Sequence, residues 1–109
     1  MISNERLNDI RRDPDNQNWD YISSQYHLSE EFVREFQNKV NWNFISWTGS
    51  LSENFIREFQ NKVIWTWISF RQKISKEFIV EFSNKIDFTA LLQNNLIDDD
   101  IKEFCKMFL

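Results

Sequence analysis

A period of 23 residues governs this chain and constrains its fold more than any other feature. From residue 18 onward, four consecutive repeats align without a gap: 18–40, 41–63, 64–86 and 87–109. The most regular columns are Trp19, Trp42, Trp65 and Phe88; Ile22, Ile45, Ile68 and Leu91; Phe32, Phe55, Phe78 and Ile101; and Phe36, Phe59, Phe82 and Cys105. A repeat this short cannot bury its aromatic side chains alone, so neighbouring repeats must stack to form a continuous core.

The second half of each repeat has the pattern of an amphipathic helix. In the first repeat Phe32, Val33 and Phe36 fall on one side of a 3.6-residue period, and acidic residues occupy the first turn. A residue that favours the N-cap position precedes this pattern every time. These N-cap residues are Ser29, Ser52, Ser75 and Asp98.

The first half of each repeat predicts a shorter helix, which Asn18, Asn41 and Asp87 are suited to cap. Ile64 breaks that capping pattern in the third repeat, and Gly49 lies in the connection of the second. The fold class is therefore all-α: an α-solenoid of four tandem helix-turn-helix repeats, right- or left-handed, with capping ends. Residues 1–17 form the N-terminal capping segment, in which Asp13 and Pro14 end a short helix, and residues 18–109 form the solenoid.

The end of the second helix is open to two interpretations. Glu35 with Lys39, Glu58 with Lys62 and Glu81 with Lys85 have the spacing of helical ion pairs. Asn38, Asn61 and Asn84 precede these lysines, and asparagine tolerates the left-handed conformation that ends helices. If the helix ends there, the lysines lie outside it and the ion pairs weaken.

The composition excludes several classes of protein. At 41% hydrophobic and 17% aromatic residues the chain can bury a core, and one Gly and one Pro argue against a turn-rich β fold. The single cysteine, Cys105, can form no internal disulfide, and no Cys/His cluster suggests zinc or another cofactor. No signal peptide or run of about 20 apolar residues is present, so we expect an intracellular protein without a membrane segment.

The first three repeats resemble a family of short helical repeats from large DNA viruses and phages. The shared pattern is W-x-x-I-S followed by L-S-E-E-F-I-R-E-F and K-V, and the fourth repeat keeps only the hydrophobic positions. In the first repeat the matching residues are Trp19, Ile22, Ser23, Leu28, Ser29, Glu30, Glu31, Phe32, Arg34, Glu35, Phe36, Lys39 and Val40. The resemblance implies a viral or mobile-element source and a scaffold, without a known activity.

Candidate binding residues lie in columns where the repeats differ but stay aromatic. Phe44 with Trp47, and Trp67 with Phe70, form a second aromatic side of the short helix. Aromatic clusters are typical of partner-binding hot spots. The favoured interpretation is nevertheless structural: a short helix between neighbours is buried all round, since large exposed apolar patches are rare on monomers.

Arg34, Arg57 and Arg71, with Lys73 and Lys76, suggest a basic strip for phosphates or acidic protein. A solvated surface is the more common role for such residues. The net charge of −4 and the pI of about 5.0 also disfavour a general nucleic-acid binder.

No catalytic arrangement emerges from the remaining reactive residues. His27 has no partner at catalytic or metal-ligand spacing and is expected at the surface, while Cys105 replaces a core phenylalanine and is expected to be buried. The leading hypothesis is a non-enzymatic protein-binding module, encoded by a virus or phage, that modulates a host protein in the host cytoplasm. The alternative is a helical repeat protein that binds nucleic acid through the Arg/Lys strip.

Overall fold

The computed structural model describes residues 2–25, 27–48 and 50–109, and within them the fold is all-helical, as the repeat predicts. Gly49, placed in a connection by the sequence analysis, lies outside the described residues. The α-helices are α1 Asn4–Arg12, α2 Trp19–Gln25, α3 Glu30–Glu35, α4 Trp42–Trp47, α5 Glu53–Glu58, α6 Trp65–Arg71, α7 Lys76–Glu81, α8 Phe88–Leu91 and α9 Asp99–Cys105. Short 3₁₀ turns follow α1 at Pro14–Asn16 and α9 at Lys106–Phe108.

The predicted N-caps are confirmed in all four repeats. Each cap side chain accepts a hydrogen bond from the backbone N–H three residues on, as Ser52 does from Phe55 at 3.1 Å. Among the short helices, Asn18 and Asp87 cap in the same way, whereas Ile64 begins α6 without a side-chain bond. The caps fix where each helix starts.

The second helix of each of the first three repeats ends before the lysine. Helix α3 stops at Glu35, and the Phe36 carbonyl accepts the N–H groups of both Lys39 and Val40. Phe59 and Phe82 close the following two repeats in the same way. The lysines therefore lie in a turn beyond the helix, and Glu35 forms its ion pair with Arg11 instead.

The core consists of the recurring apolar columns. Phe55 and Phe78 are 1% exposed, and Cys105, which replaces phenylalanine in the fourth repeat, is fully buried as expected. Desolvation by burial raises the pKa of the Cys105 thiol. The last repeat departs from the pattern, because Ile101 is only half-buried and Leu109 is exposed.

The chain divides into two compact units, Met1–Ile45 and Ser46–Leu109. In the first, α1 occupies the register of the second half of a preceding repeat. Ile10 aligns with Val33 at the 23-residue period, and both are buried. The Arg11 guanidinium donates two hydrogen bonds of 2.8 Å to the Glu35 carboxylate. The N-terminal capping segment thus continues the 23-residue period of the repeats.

The second compact unit shows how its repeats are joined. The Arg57 guanidinium donates two hydrogen bonds of 2.8–2.9 Å to the Glu81 carboxylate. The two residues are 24 positions apart, as are Arg11 and Glu35 in the first unit. The buried hydroxyl of Ser69 accepts the N–H of Asp87 at 2.9 Å, and Ser46 accepts that of Ile64 in the same way. Each serine thus bonds to the backbone of the residue that begins the next short helix.

Two buried amides in the second compact unit complete the connections. Gln72 donates to the Ser46 carbonyl at 2.9 Å and accepts the Leu51 N–H at 3.0 Å. Asn94 donates to the carbonyls of Ser69 and Gln72. As a result, every buried side-chain N and O atom of the described residues has a hydrogen-bond partner.

Candidate partner-binding site

The short helix α6 places two aromatic side chains one turn apart. Trp67 and Phe70 are three residues apart, while Ile68 and Ser69 between them point into the core and are fully buried. This division follows from the helical period, and the inward positions are the recurring ones, with isoleucine or leucine in all four repeats and serine in the first three. Trp67 and Phe70 themselves are half-buried.

Trp47, at the end of α4, meets the two aromatic side chains of α6. Its ring centroid lies 4.9 Å from that of Trp67 at an interplanar angle of 88°, and 6.2 Å from that of Phe70. Edge-to-face arrangements of this kind are favourable because the positive ring edge meets the negative ring face. Trp47 is still 38% exposed, so the cluster is open to solvent.

Arg71 completes this cluster. Its guanidinium carbon lies 4.3 Å from the Trp47 ring centroid, a cation–π distance. Its Nε also donates to the Trp47 carbonyl at 3.2 Å. We refer to Trp47, Trp67, Phe70 and Arg71 together as the aromatic shelf.

An open groove of about 260 Å³ adjoins the shelf. Trp67 and Phe70 supply its aromatic lining, and α8, which packs against α6, supplies the opposite side. The polar side chains in the lining are those of Thr66, Asp87, Thr89 and Gln93. The sequence analysis identified Asp87 only as a helix cap and missed the other three residues, because they are brought to the groove only by the packing of two repeats.

The favoured expectation that the second aromatic side is buried all round is wrong. Phe44, in the first compact unit, is 37% exposed, and its counterpart in the first repeat, Tyr21, is 53% exposed. The short helices bury only the side that carries the recurring isoleucines. Within the described residues, the elements that pack against these helices leave the opposite side partly exposed.

The predicted basic residues have different surroundings. Arg57 is committed to Glu81 and to the Asn54 amide oxygen, and this pairing holds the pKa of the Glu81 carboxyl below its ordinary value. Arg34 is exposed on α3, in the first compact unit. Arg71 belongs to the aromatic cluster, whereas Arg57 lies over the rings of Phe78 and Phe82.

Lys76 lies over the Phe104 ring at 4.9 Å, whereas Lys73 is exposed. His27 is exposed, as expected. No group of three or more His, Cys, Asp or Glu residues that could hold a metal ion occurs within residues 2–25, 27–48 and 50–109. In the same part of the chain, no helix is long and apolar enough to cross a membrane.

No protein-family model, curated protein or solved structure matches this chain. The features that can indicate a function are therefore the aromatic shelf and its groove.

Proposed function

We propose that this chain is a non-enzymatic, protein-binding repeat module and that the aromatic shelf is its contact surface. The observation that carries the proposal is the cluster of Trp47, Trp67 and Phe70, partly exposed in columns where the repeats differ. The recurring columns are accounted for by the core, so these aromatic side chains are available for a second role. Large aromatic anchors beside an arginine are the side chains most enriched at binding hot spots.

The proposed partner is a host protein, with a component of a defence system as the candidate, and the proposed site of action is the host cytoplasm. The resemblance of the first three repeats to viral and phage repeats supports this part of the proposal. A small binding module would act by occupying a surface of that protein.

Binding of nucleic acid through the arginines is the less favoured function. The guanidinium of Arg57 already has a bidentate carboxylate partner, and that of Arg71 lies against an indole ring. Phosphate binding would require such cations to release their present partners. A net charge of −4 adds a long-range repulsion.

The test is a pull-down from host-cell lysate in which the immobilised native chain is compared with two variants. Trp67→Ala combined with Phe70→Ala removes the α6 part of the shelf. Val80→Ala is the matched control, because Val80 is an apolar side chain 52% exposed on α7 and is outside the shelf and groove. We expect a host protein to be retained by the native chain and the control but lost with the double variant.

Retention of the same proteins by the double variant would contradict the proposed site, provided that its circular dichroism is native. Retention of nucleic acid, with an affinity that falls steeply as salt is added, would instead support the rival function.

A further inference from the structure

The indole N–H groups divide the five tryptophans into two classes. In Trp19, Trp42 and Trp65, which occupy the recurring column, each indole N–H donates to the backbone carbonyl five residues earlier. The distances are 2.7, 3.0 and 2.9 Å, respectively. This bond is part of the framework, since it recurs with the 23-residue period.

Trp47 and Trp67 form the second class. Within residues 2–25, 27–48 and 50–109, neither indole N–H has a hydrogen-bond acceptor, although the rings pack edge to face. Both side chains are partly exposed, so water satisfies these donors in the free chain. A partner that covers the rings must supply acceptors in place of that water, since a buried donor without a partner costs about 1–3 kcal/mol.

The charges of the shelf and groove are balanced. Arg71 supplies one cation, and Asp87 supplies one carboxylate, which also accepts the Ala90 N–H at 3.0 Å. The remaining groove side chains, Thr66, Thr89 and Gln93, are neutral. This balance disfavours a polyanion or a strongly basic segment and favours a neutral ligand rich in carbonyl groups.

Resting on the proposed function, we propose that the aromatic shelf and its groove bind a proline-rich segment of the partner in the polyproline II conformation. Proline residues carry a carbonyl but no N–H, so such a segment offers acceptors and few donors, the complement of the two indoles. Its rings are flat apolar surfaces that pack on aromatic side chains. A proline-rich segment already adopts the extended polyproline II conformation before it binds, which lowers the entropy cost of docking in an open groove.

One proline ring packs against the solvent-exposed parts of the Trp47 and Trp67 rings. The flanking carbonyls of the segment accept the two indole N–H groups. The groove lined by Phe70 and Gln93 holds the continuation of the segment.

The experiment is a titration of the full ¹⁵N-labelled chain with a nine-proline peptide, followed through the five indole N–H signals. The substitutions Trp47→Phe and Trp67→Phe assign two of the signals and retain an aromatic ring. We expect the chemical shifts of the Trp47 and Trp67 indole N–H groups to change and saturate with one shared dissociation constant. The chemical shifts of the three framework indoles should stay unchanged. A Gly/Ser peptide of equal length should move none of them.

Removing one donor should weaken binding without removing the apolar contact. We expect Trp67→Phe to lower the affinity for the nine-proline peptide about 5-fold, the equivalent of one ordinary hydrogen bond. Val80→Ala should leave the affinity unchanged.

Three results would overturn the inference: no movement at millimolar peptide, movement only of the framework signals, or movement of the shelf signals by a lysine-rich peptide or oligouridylate alone. Each is distinct from failure of the proposed function. In each case, if the Trp67→Ala/Phe70→Ala variant still fails to retain the host protein that the native chain retains, the shelf remains a binding surface, but for a different ligand.

Discussion

Ser69 shows how one small side chain connects two repeats. It is fully buried on α6, donates to the Trp65 carbonyl at 2.7 Å and accepts the Asp87 N–H at 2.9 Å. One hydroxyl therefore satisfies a carbonyl of its own helix and the first N–H of the next repeat. Alanine fits the space but makes neither bond, which explains why serine recurs at 23, 46 and 69.

At the residue scale, we expect Ser69→Ala to lower the free energy of unfolding by about 1–3 kcal/mol, because it leaves the part-buried Asp87 N–H without the fully buried hydroxyl that accepts it. Urea denaturation measures the loss. Ser24→Ala is the matched control: its hydroxyl also donates to a helical carbonyl, that of Tyr21, but it is exposed, so a change within about 0.5 kcal/mol is expected. Equal losses in the two variants would argue against the proposed role of Ser69.

At the scale of the elements, α5 and α7 are connected by the fork of Arg57 on Glu81, and α1 and α3 by that of Arg11 on Glu35. Each pair is partly exposed, so it adds register more than stability. Between the third and fourth repeats, Val80 and Phe104 occupy the columns of the arginine and the glutamate, respectively. The charged partners are thus replaced together, as expected if the two columns act as a pair.

The pairing of Arg57 with Glu81 makes a specific prediction about pH. The hydrogen bond from Arg57 lowers the pKa of Glu81 from its ordinary value of 4.5, so the pair stabilises the fold above that pH and loses its effect as the pH falls through the lowered value. We expect Glu81→Gln to be less stable than the native chain at pH 7 and this difference to close in acid. Chemical denaturation at a series of pH values measures it.

The Arg57→Gln background provides the control for this prediction. There, Glu81→Gln should produce little pH-dependent difference, because the partner of the carboxylate is absent. A difference of undiminished size in that background would assign the pH dependence to another contact of Glu81.

At the scale of the whole molecule, the sequence predicted the features that repeat and missed those that depend on packing. Ser52, Phe55 and Ile68 could be assigned as cap or core because each has equivalents at the same position in other repeats. The fork of Arg11 on Glu35 could not, because its partners are 24 residues apart and helical spacing reveals only neighbours three or four residues away.

The candidate site was predicted in part for the same reason. Trp47, Trp67, Phe70 and Arg71 stood out as variable residues, but their exposure depends on which neighbouring element covers the second aromatic side. The groove residues Asp87 and Gln93 belong to the next repeat, where the sequence marks Asp87 only as a helix cap and gives no signal for Gln93. Helical periodicity identifies the sides of a helix, whereas burial is decided by what packs against each side.

The central claim is that recurring columns hold the fold together and variable columns are free for binding. Trp65 and Trp67 test it directly, because they are the same residue type on one helix. Trp65 packs on Phe82 with ring centroids 5.3 Å apart and donates to the Gln60 carbonyl, whereas Trp67 has only its edge-to-face partner among the described aromatic side chains.

The decisive measurement is the free energy of unfolding of Trp65→Ala and Trp67→Ala by urea denaturation. We expect Trp65→Ala to lose about 3 kcal/mol, because this half-buried side chain loses its ring contacts with Phe78 and Phe82 and its indole hydrogen bond. For Trp67→Ala we expect a loss of about 1 kcal/mol, which corresponds to one aromatic pair. Equal losses, or a larger loss for Trp67→Ala, would contradict the account.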